Sequence, residues 1–243
     1  MTVRIAMWSG PRNISTAMMR SFGARADCVV SDEPFFGAYL KATGDPQPMA
    51  AETMAAMDCD YRSVLRTISS KPPPGAVNWY QKHMPHHMVG DVGIADMPDH
   101  RHAFLIRAPE RVVASYAAKR EGVDAARLGY ARIRQYVEHE AARTGRTPPI
   151  LDADDVLTDP GGMLAGLCAA LGIEWDAAML SWARGPHAED GVWGAHWYGA
   201  VNASTGFAPP PGDLPVLDVD NAAIAGMCRD DYAWLHERRV TPQ

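Results

Sequence analysis

The N-terminal stretch Val3–Phe22 constrains the fold more than any other part of this chain. It opens with the apolar run Val3–Trp8, which is typical of a buried strand and ends at a glycine-proline turn. A helical pattern with the hydroxyl residues Ser15 and Thr16 at its start then runs from about Ile14 to Phe22. Strand, glycine turn and helix start are the parts of a phosphate-binding loop, because free N–H groups at a helix start attract anions. The Walker A pattern, with a lysine before the Ser or Thr, is absent, and the loop alone is equally compatible with an ordinary capped turn.

Further strand and helix patterns predict the fold class. Four more short β-rich runs alternate with helical patterns, and they are Cys28–Ser31, Val77–Gln81, Ala103–Ile106 and Ile150–Leu151. Strands that alternate with helices form a parallel sheet with helices on both faces. At 243 residues and 47% apolar composition, the chain suits one α/β domain that spans residues 1–243.

Helical patterns also predict where the main helices lie. One covers Met49–Ser69 and ends before a proline-rich breaker, and two more cover Arg111–Arg120 and Leu128–Arg143. A leucine-rich stripe closes at Gly172, which we expect to be a helix C-cap. The last helix is expected to begin at Asp220 as its N-cap.

Composition excludes several classes of protein. The formal net charge of -6 argues against a broad nucleic-acid-binding surface. No run reaches the roughly 20 apolar residues of a membrane span, and the N-terminus lacks the pattern of a secretory signal. The four cysteines are widely spaced and form no CxxC pair, which is typical of reduced thiols. These features predict a cytoplasmic protein with no nucleic-acid or membrane partner.

A second segment, Ala103–Tyr116, contains another candidate anion site. Its apolar strand ends in Arg107, and the following helix carries Ser115 eight positions later. A guanidinium at the carboxyl end of a strand and a hydroxyl on the next helix can bind one anion from two sides. Each residue in isolation is more often a solvated side chain. Together with the first loop, the pair predicts a second phosphate site beside the first.

The two segments resemble those of the sulfotransferases that use 3′-phosphoadenosine-5′-phosphosulfate (PAPS). The first loop of that family reads approximately Pro-Lys/Arg-Ser-Gly-Thr/Ser-Thr, and the matching positions here are Pro11, Arg12, Ser15 and Thr16. Arg107 and Ser115 reproduce the spacing of the Arg and Ser that bind the 3′-phosphate in the family. Ile150–Pro160 is similar to the family's Glu-Asp-Leu-x-x-x-Pro stretch. The WSGPRNIST loop further resembles a subgroup that also occurs fused to branched-chain aminotransferase-like proteins.

The resemblance implies a fold, an activity and a set of binding residues. The fold is a P-loop NTPase-like three-layer α/β fold with a central parallel sheet. The activity is transfer of a sulfuryl group from PAPS to a hydroxyl or amine of a small organic acceptor, without a bound metal. The resemblance places the 5′-phosphosulfate on Gly10, Pro11, Arg12, Asn13, Ile14, Ser15 and Thr16, and the 3′-phosphate on Arg107 and Ser115. Arg12 is also expected to stabilise charge in the transition state.

Two residues, His83 and Glu33, are candidates for the base that takes the acceptor's proton. Lys82-His83-Met84-Pro85 loosely resembles the family's Lys-x-His-x-Pro strand end, where the histidine is the base, and Lys82 is a further catalytic candidate. A side chain with an ordinary pKa of about 6.5 suits that task. Glu33 follows the second strand directly, at a spacing comparable with that of the basic glutamate in heparan-type sulfotransferases. His83 is the first choice; the alternatives are a surface histidine cluster and a salt-bridging glutamate.

Two departures keep other functions open. Ile14 stands where the family has glycine, and the family's C-terminal Arg-Lys-Gly stretch is missing. The alternatives are a P-loop kinase or nucleotide hydrolase and a non-catalytic nucleotide-binding module of the same fold. The histidines between Lys82 and Met88 also suggest a metal. Pro85 blocks helical spacing, however, and the pattern lacks an obvious carboxylate or cysteine partner, so no metal is expected.

The late segment, Gly185–Gly212, differs in composition from the rest of the chain. Glycine, proline and tryptophan dominate it, and it sustains no helical or strand period. Loops of this length are commonly functional. We expect this segment to form a lid over the acceptor; packing against the domain and a homodimer contact are the alternatives.

Overall fold

The computed structural model of the chain describes residues 2–119, 122–210 and 212–241. At its centre lies a five-stranded parallel sheet, in the order β2-β3-β1-β4-β5. The strands are β1 Val3–Ser9, β2 Cys28–Asp32, β3 Asn78–His83, β4 Arg101–Ile106 and β5 Ile150–Asp152. All five predicted strands are confirmed. Their continuous apolar runs follow from burial of the sheet on both faces.

Helices cover both faces of this sheet and give the three-layer α/β fold that the sequence predicts. The helices are α1 Ser15–Gly23, α2 Phe36–Thr43, α3 Ala50–Ala56, α4 Tyr61–Ser69, α5 Pro109–Ala117, α6 Ala125–Leu128, α7 Tyr130–Thr144, α8 Ala153–Thr158, α9 Pro160–Leu171, α10 Gly194–Trp197, α11 Gly199–Asn202 and α12 Val219–His236. Buried side chains of α1, α2, α8 and α9 pack on one face. Those of α4, α7 and α12 pack on the other. We call these the α1 face and the α7 face.

Most helix predictions hold, with shifted boundaries. Gly172 is the left-handed C-cap of α9, as expected. The predicted helix Met49–Ser69 is two helices, because Asp60 caps a new start at α4 by accepting the Ser63 N–H. The last helix is capped by Asp218, which accepts from the Asn221 N–H, so the assignment of Asp220 is wrong. Arg120, the predicted end of another helix, lies outside the described residues.

The parallel sheet brings the candidate residues to one edge. Parallel strands all end on the same side, and ligands of open α/β sheets bind there. Four strands end next to candidate groups: β1 runs into the first loop, β2 into Glu33, β3 into Met84 and β4 into Arg107. Residues that lie far apart in the sequence therefore meet in one region.

Candidate functional site

The loop between β1 and α1 is held in place from two sides. Gly10 lies against the backbone carbonyl of Leu128, where a Cβ atom would fall inside contact distance of that oxygen. The Asn13 side chain donates from Nδ2 to the Leu105 carbonyl (3.0 Å) and accepts the Ile14 N–H at Oδ1 (2.9 Å). These contacts fix the backbone path that leads into α1.

The first turn of α1 presents N–H donors without an acceptor from a side chain. Ile14 is the N-cap residue, and among the described residues no side chain caps this helix and no acidic residue lies in its first turn. The first N–H groups of a helix also lack partners within the helix. Ile14 stands where the family has glycine, and its larger side chain is accommodated by packing against the core of the α1 face. The turn therefore suits an anion.

Arg12, Arg107 and Ser115 lie together beside this turn. Arg12 Nε donates to Ser115 Oγ (3.1 Å), and Arg107 Nη1 donates to the Arg12 carbonyl (3.3 Å). Burial lowers the pKa of both guanidinium groups, and the neighbouring Arg107 lowers that of Arg12 further. Arg107 Nε is buried with no hydrogen-bond partner among the described residues, and Asp154 Oδ1 lies 3.9 Å away. A buried, unpartnered N–H beside a second cation indicates a place for an anion.

Two cavities meet at the loop. The first, of about 110 Å³, is lined by Glu33 and Lys82 at the ends of β2 and β3. The second, of about 230 Å³, is lined by Arg107 and Ser115. We call them the carboxylate cavity and the arginine cavity. The residues that line both are Arg12, Asn13, Thr16, Trp197 and Tyr198. The loop and the first turn of α1, together with Trp197 and Tyr198, therefore form the wall that the two cavities share.

A buried ion cluster lies beside the carboxylate cavity. Lys82 Nζ donates to Asp32 Oδ1 (2.9 Å), to Glu33 Oε1 (2.6 Å) and to the Tyr198 hydroxyl (2.7 Å). An ammonium has three N–H groups, so all of its donors are used within the cluster. Burial lowers the pKa of Lys82, but the two carboxylates outweigh it and hold this pKa well above its ordinary value. Lys82 is therefore a buried cation.

Asp32 and Tyr198 complete the cluster. The Tyr198 hydroxyl donates to Asp32 Oδ2 (2.7 Å) and accepts from Lys82 and from Trp193 Nε1 (3.0 Å). The Gly191 N–H donates to Asp32 Oδ2 at 3.1 Å. Burial raises the pKa of the Asp32 carboxyl and Glu33 raises it further, whereas Lys82 lowers it. Since Lys82, Tyr198 and Gly191 all donate to Asp32, we assign it the ionised form.

Glu33 lines the carboxylate cavity, and its two oxygens have different neighbours. Oε1 accepts from Lys82, while Oε2 lies 3.9 Å from His87 Nε2. The backbone of Glu33 has φ 44°, in the left-handed region that a non-glycine residue seldom adopts, and Arg12 shares this feature with φ 55°. Such strained residues cluster at functional sites, where the surrounding structure fixes them.

His83 does not meet the expectation that it faces the site. Successive side chains of a strand point to opposite faces, so Lys82 lies on the α1 face and His83 on the α7 face. The His83 ring stacks on Trp8 at 4.6 Å between centroids, and its Nε2 lies 3.3 Å from Gln81 Oε1. Burial lowers the pKa of His83 well below its ordinary value. It is not among the described residues that line either cavity.

His86 and His87 line the carboxylate cavity instead. The His87 ring is parallel to that of Phe36, with an interplanar angle of 6° and centroids 4.6 Å apart. Burial and then Lys82 lower the pKa of His87 well below its ordinary value, so it is neutral near pH 7. A neutral imidazole in contact with aromatic rings forms part of the cavity wall.

The late segment packs across both cavities. Arg20 of α1 binds Asp190 with both terminal nitrogens, at 2.5 and 2.6 Å, and Nη2 also donates to Asn202 Oδ1 (3.1 Å). Trp193 and Tyr198 are buried in the core of the α1 face. This placement agrees with the predicted packing against the domain.

Sequence reasoning missed several members of the site. Asp32 immediately precedes Glu33, and its position at the end of a predicted strand was a usable signal. Nothing local marks Arg20, because its partner Asp190 lies 170 positions away in the sequence. Tyr198 stands out only as one of several aromatic residues of the late segment. Their roles depend on tertiary contacts.

Neither a metal cluster nor a membrane helix is found in the described part of the chain. No group of three or more His, Cys, Asp or Glu side chains within residues 2–119, 122–210 and 212–241 is arranged to hold a metal ion. Over the same residues, no helix combines the length and the apolar character needed to cross a bilayer.

A parallel sheet whose first strand leads through an anion-binding loop into a helix defines a P-loop-type α/β protein. The profile of the sulfotransferase domain family matches residues 3–233, nearly the whole chain. The chain therefore belongs to the sulfotransferase domain family. Membership in this family supports sulfuryl transfer as its general activity.

Two curated relatives come from Arabidopsis thaliana and are named branched-chain-amino-acid aminotransferase-like proteins 1 and 2. They are 35% and 34% identical to this chain over 220 and 219 residues. Each match covers 89% of this chain but 39% of the relative, so the chain spans about two fifths of the length of these proteins.

Two solved structures share the fold. The sulfotransferase from Alicyclobacillus acidocaldarius matches with a TM-score of 0.55 at 12% identity, over 98% of this chain and 95% of that one. The sulfotransferase domain of the Synechococcus PCC 7002 olefin synthase matches with a TM-score of 0.53 at 15% identity, over 93% and 94%. At such identities the likeness establishes the fold alone.

Proposed function

We propose that this chain transfers a sulfuryl group from PAPS to a hydroxyl or amine of a small organic acceptor, releasing adenosine-3′,5′-bisphosphate (PAP). One observation carries the proposal: the loop that suits an anion forms part of the wall that the two cavities share. One cavity is lined by two arginines and a serine, and the other is lined by the Glu33 carboxylate. A sulfuryl group bound at the shared wall would be accessible to an acceptor in the carboxylate cavity.

The residues of the arginine cavity fit the donor. PAPS supplies an activated sulfuryl group and carries a 3′-phosphate that ATP lacks. Arg107 Nε, buried without a hydrogen-bond partner among the described residues, would pair with that phosphate, together with Ser115. Arg12 and the first turn of α1 would hold the 5′-phosphosulfate. Both arginines remain cations near neutral pH, because arginine does not deprotonate in proteins.

The residues of the carboxylate cavity would remove the acceptor's proton. We assign this role to Glu33 rather than His83, because Glu33 lines the cavity and His83 lies on the opposite face of the sheet. As the acceptor oxygen bonds to sulfur, its proton passes to Glu33 Oε2, and the bridging oxygen leaves on PAP. Lys82 keeps the other oxygen of Glu33 in place. The role of Lys82 is therefore to position Glu33, since all of its N–H groups donate within the cluster.

Arg12 and the helix start would stabilise the charge that develops on the transferring group. Fixed donors in a dry site are worth more than in water, because no solvent has to reorganise. Trp193, Trp197 and Tyr198 help to exclude water by covering the cavities. The late segment would then act as the lid that the sequence predicts.

Binding of PAP against ATP-Mg²⁺ tests the donor. We expect PAP to raise the melting temperature in a thermal-shift assay, and ATP-Mg²⁺ to raise it much less. Stabilisation by ATP-Mg²⁺ but not by PAP would favour a kinase or nucleotide hydrolase and overturn the proposal.

Transfer of ³⁵S-sulfate from labelled PAPS to a panel of small alcohols and amines tests the reaction. The Glu33→Gln variant is the matched control, because it keeps the arginine cavity intact. Binding of PAP with no transfer to any acceptor would favour the non-catalytic module. Location in the cytoplasm and pairing of two copies stay predictions from the sequence.

A further inference from the structure

The ion cluster of Asp32, Glu33 and Lys82 carries a net charge of -1. It contains two carboxylates and one ammonium, with Lys82 Nζ at 2.9 Å from Asp32 and 2.6 Å from Glu33. All three side chains are almost entirely buried. A base directly paired with a buried cation loses affinity for protons, because protonation would leave that cation uncompensated. Asp32 is the second carboxylate in contact with the same cation.

We propose that Asp32 is the charge-compensating and positioning residue that lets Glu33 act as the base, with Tyr198 fixing its orientation. Asp32 neutralises Lys82, so that the remaining negative charge resides on Glu33. When Glu33 takes the acceptor's proton, the cluster passes from -1 to 0, and Lys82 and Asp32 remain as a neutral pair. This inference rests on the proposed role of Glu33 in sulfuryl transfer.

The hydrogen bonds of Tyr198 support this assignment. Its hydroxyl has one hydrogen and two lone pairs, and all three are used: it donates to Asp32 and accepts from Lys82 and Trp193. Tyr198 belongs to the late segment, and the Gly191 N–H of the same segment also binds Asp32. The base is therefore complete only when the late segment is docked on the sheet.

The other ionisable groups near Glu33 do not replace Asp32. His87 Nε2 lies 3.9 Å from Glu33 Oε2, and burial keeps this imidazole neutral by lowering its pKa. Arg12 and His86 line the same cavity from the loop and from the turn after β3. Arg12 is a cation, and it adds to the positive charge that Asp32 offsets.

Titration of the Glu33 carboxyl tests the proposal in the protein without ligand. Its side-chain ¹³C signal is identified by its loss in Glu33→Gln, and then followed by NMR against pH in wild type, Asp32→Asn and Lys82→Met. In Asp32→Asn we expect Glu33 to take up its proton at a pH lower by about one unit or more, the effect of an uncompensated opposite charge within hydrogen-bond distance. In Lys82→Met we expect the opposite shift, because the cation in contact with Glu33 is removed while Asp32 remains.

Kinetics give a second measurement, because a purely structural role of Asp32 would leave the pH profile of kcat/KM unchanged. The acid limb of the kcat/KM profile should shift to lower pH in Asp32→Asn by the same amount as in the NMR titration. At pH 7 we expect kcat to fall about tenfold, because the base is weaker. Tyr198→Phe should lower kcat without reversing the charge balance, so its acid limb should stay within about half a unit of wild type.

Opposite shifts in the two charge variants support the proposal, and a Glu33 titration that is unchanged or moves upward in Asp32→Asn overturns it. The NMR experiment needs neither donor nor acceptor. If wild type transfers no sulfate but the shifts occur, the proposed function fails and the charge compensation stands. If transfer occurs and the titration does not move, only the charge compensation fails. Lys82→Met retains a well-packed apolar stem, so the second arm remains informative if Asp32→Asn does not fold.

Discussion

Replacing Arg107 by alanine tests whether the arginine cavity distinguishes nucleotides by their 3′-phosphate. The Arg107 side chain is 20% exposed, and its Nε is buried without a hydrogen-bond partner among the described residues, with Asp154 Oδ1 at 3.9 Å. A hydrogen bond to a charged group contributes about 1.5–3 kcal/mol, and 1.4 kcal/mol corresponds to a factor of ten. We therefore expect Arg107→Ala to weaken PAP binding about 10- to 100-fold.

The same substitution also removes a contact that does not depend on the 3′-phosphate. Arg107 Nη1 donates to the Arg12 carbonyl at 3.3 Å and so supports the loop. A single bond of this kind contributes about 0.5–1.5 kcal/mol, so we expect a loss of about two- to tenfold for every ligand that uses the loop. The informative quantity is the ratio between two ligands, and not the loss for one of them.

Isothermal titration calorimetry with PAP and with adenosine-5′-phosphosulfate, which lacks the 3′-phosphate, measures that ratio. We expect PAP to lose about tenfold more affinity than adenosine-5′-phosphosulfate. This factor corresponds to the loss of one hydrogen bond to a charged group, taken at about 1.5 kcal/mol. Arg134→Ala is the control, because Arg134 lies on α7 away from both cavities and pairs with Glu138 and Asp231. Equal losses for both ligands would refute the assignment of Arg107 to the 3′-phosphate.

Three further predictions follow from the same contacts. Glu33→Gln should lower kcat about 100-fold or more while the Kd for PAP is unchanged. His83→Gln should instead keep kcat within a few-fold of wild type and lower the melting temperature. The reverse result for kcat would make His83 the base. Asp190→Ala should lower the free energy of unfolding by about 3–5 kcal/mol, because it leaves Arg20 as a buried unpaired charge; an unchanged denaturant midpoint would contradict this. Burial lowers the pKa of His100 to about 4, from about 6.5 in the unfolded chain. The stability that its neutral form provides is complete above pH 6.5, and up to about 3 kcal/mol of it is lost as the pH falls to 4. His100→Gln should therefore flatten the dependence of the free energy of unfolding on pH over that range. An unchanged slope in this variant would contradict the prediction.

The fold was predictable because its signals are local. Each central strand is a short apolar run between turn residues, and Gly172 marks a helix end by its left-handed backbone. Boundaries were less predictable where two residues of one type compete. Asp218 and Asp220 both suit an N-cap, and only the backbone path shows that Asp218 accepts from the Asn221 N–H.

The candidate site was predictable in its parts and not in its assembly. The loop and the Arg107–Ser115 spacing were readable, because each depends on one strand and the helix after it. The choice between His83 and Glu33 as the base was not readable. Neighbouring residues of a strand point to opposite faces, and only the packing of the sheet decides that Lys82, and not His83, lines the cavity beside Glu33. The proposal of Glu33 as the base therefore rests on this alternation and on the position of Glu33 in the lining of the cavity.

The sequence by itself determined the class of protein, because the strand, glycine turn and helix start of Val3–Phe22 require only local backbone preferences and burial. Tertiary structure alone decided how the charges are paired. Lys82 meets Asp32 across two neighbouring strands. Tyr198 reaches Lys82 from 116 positions further along the chain, and Asp32 from 166 positions further. Long-range contacts of this kind depend on where the whole chain places each side chain, and a buried charge is stable only where such a partner arrives.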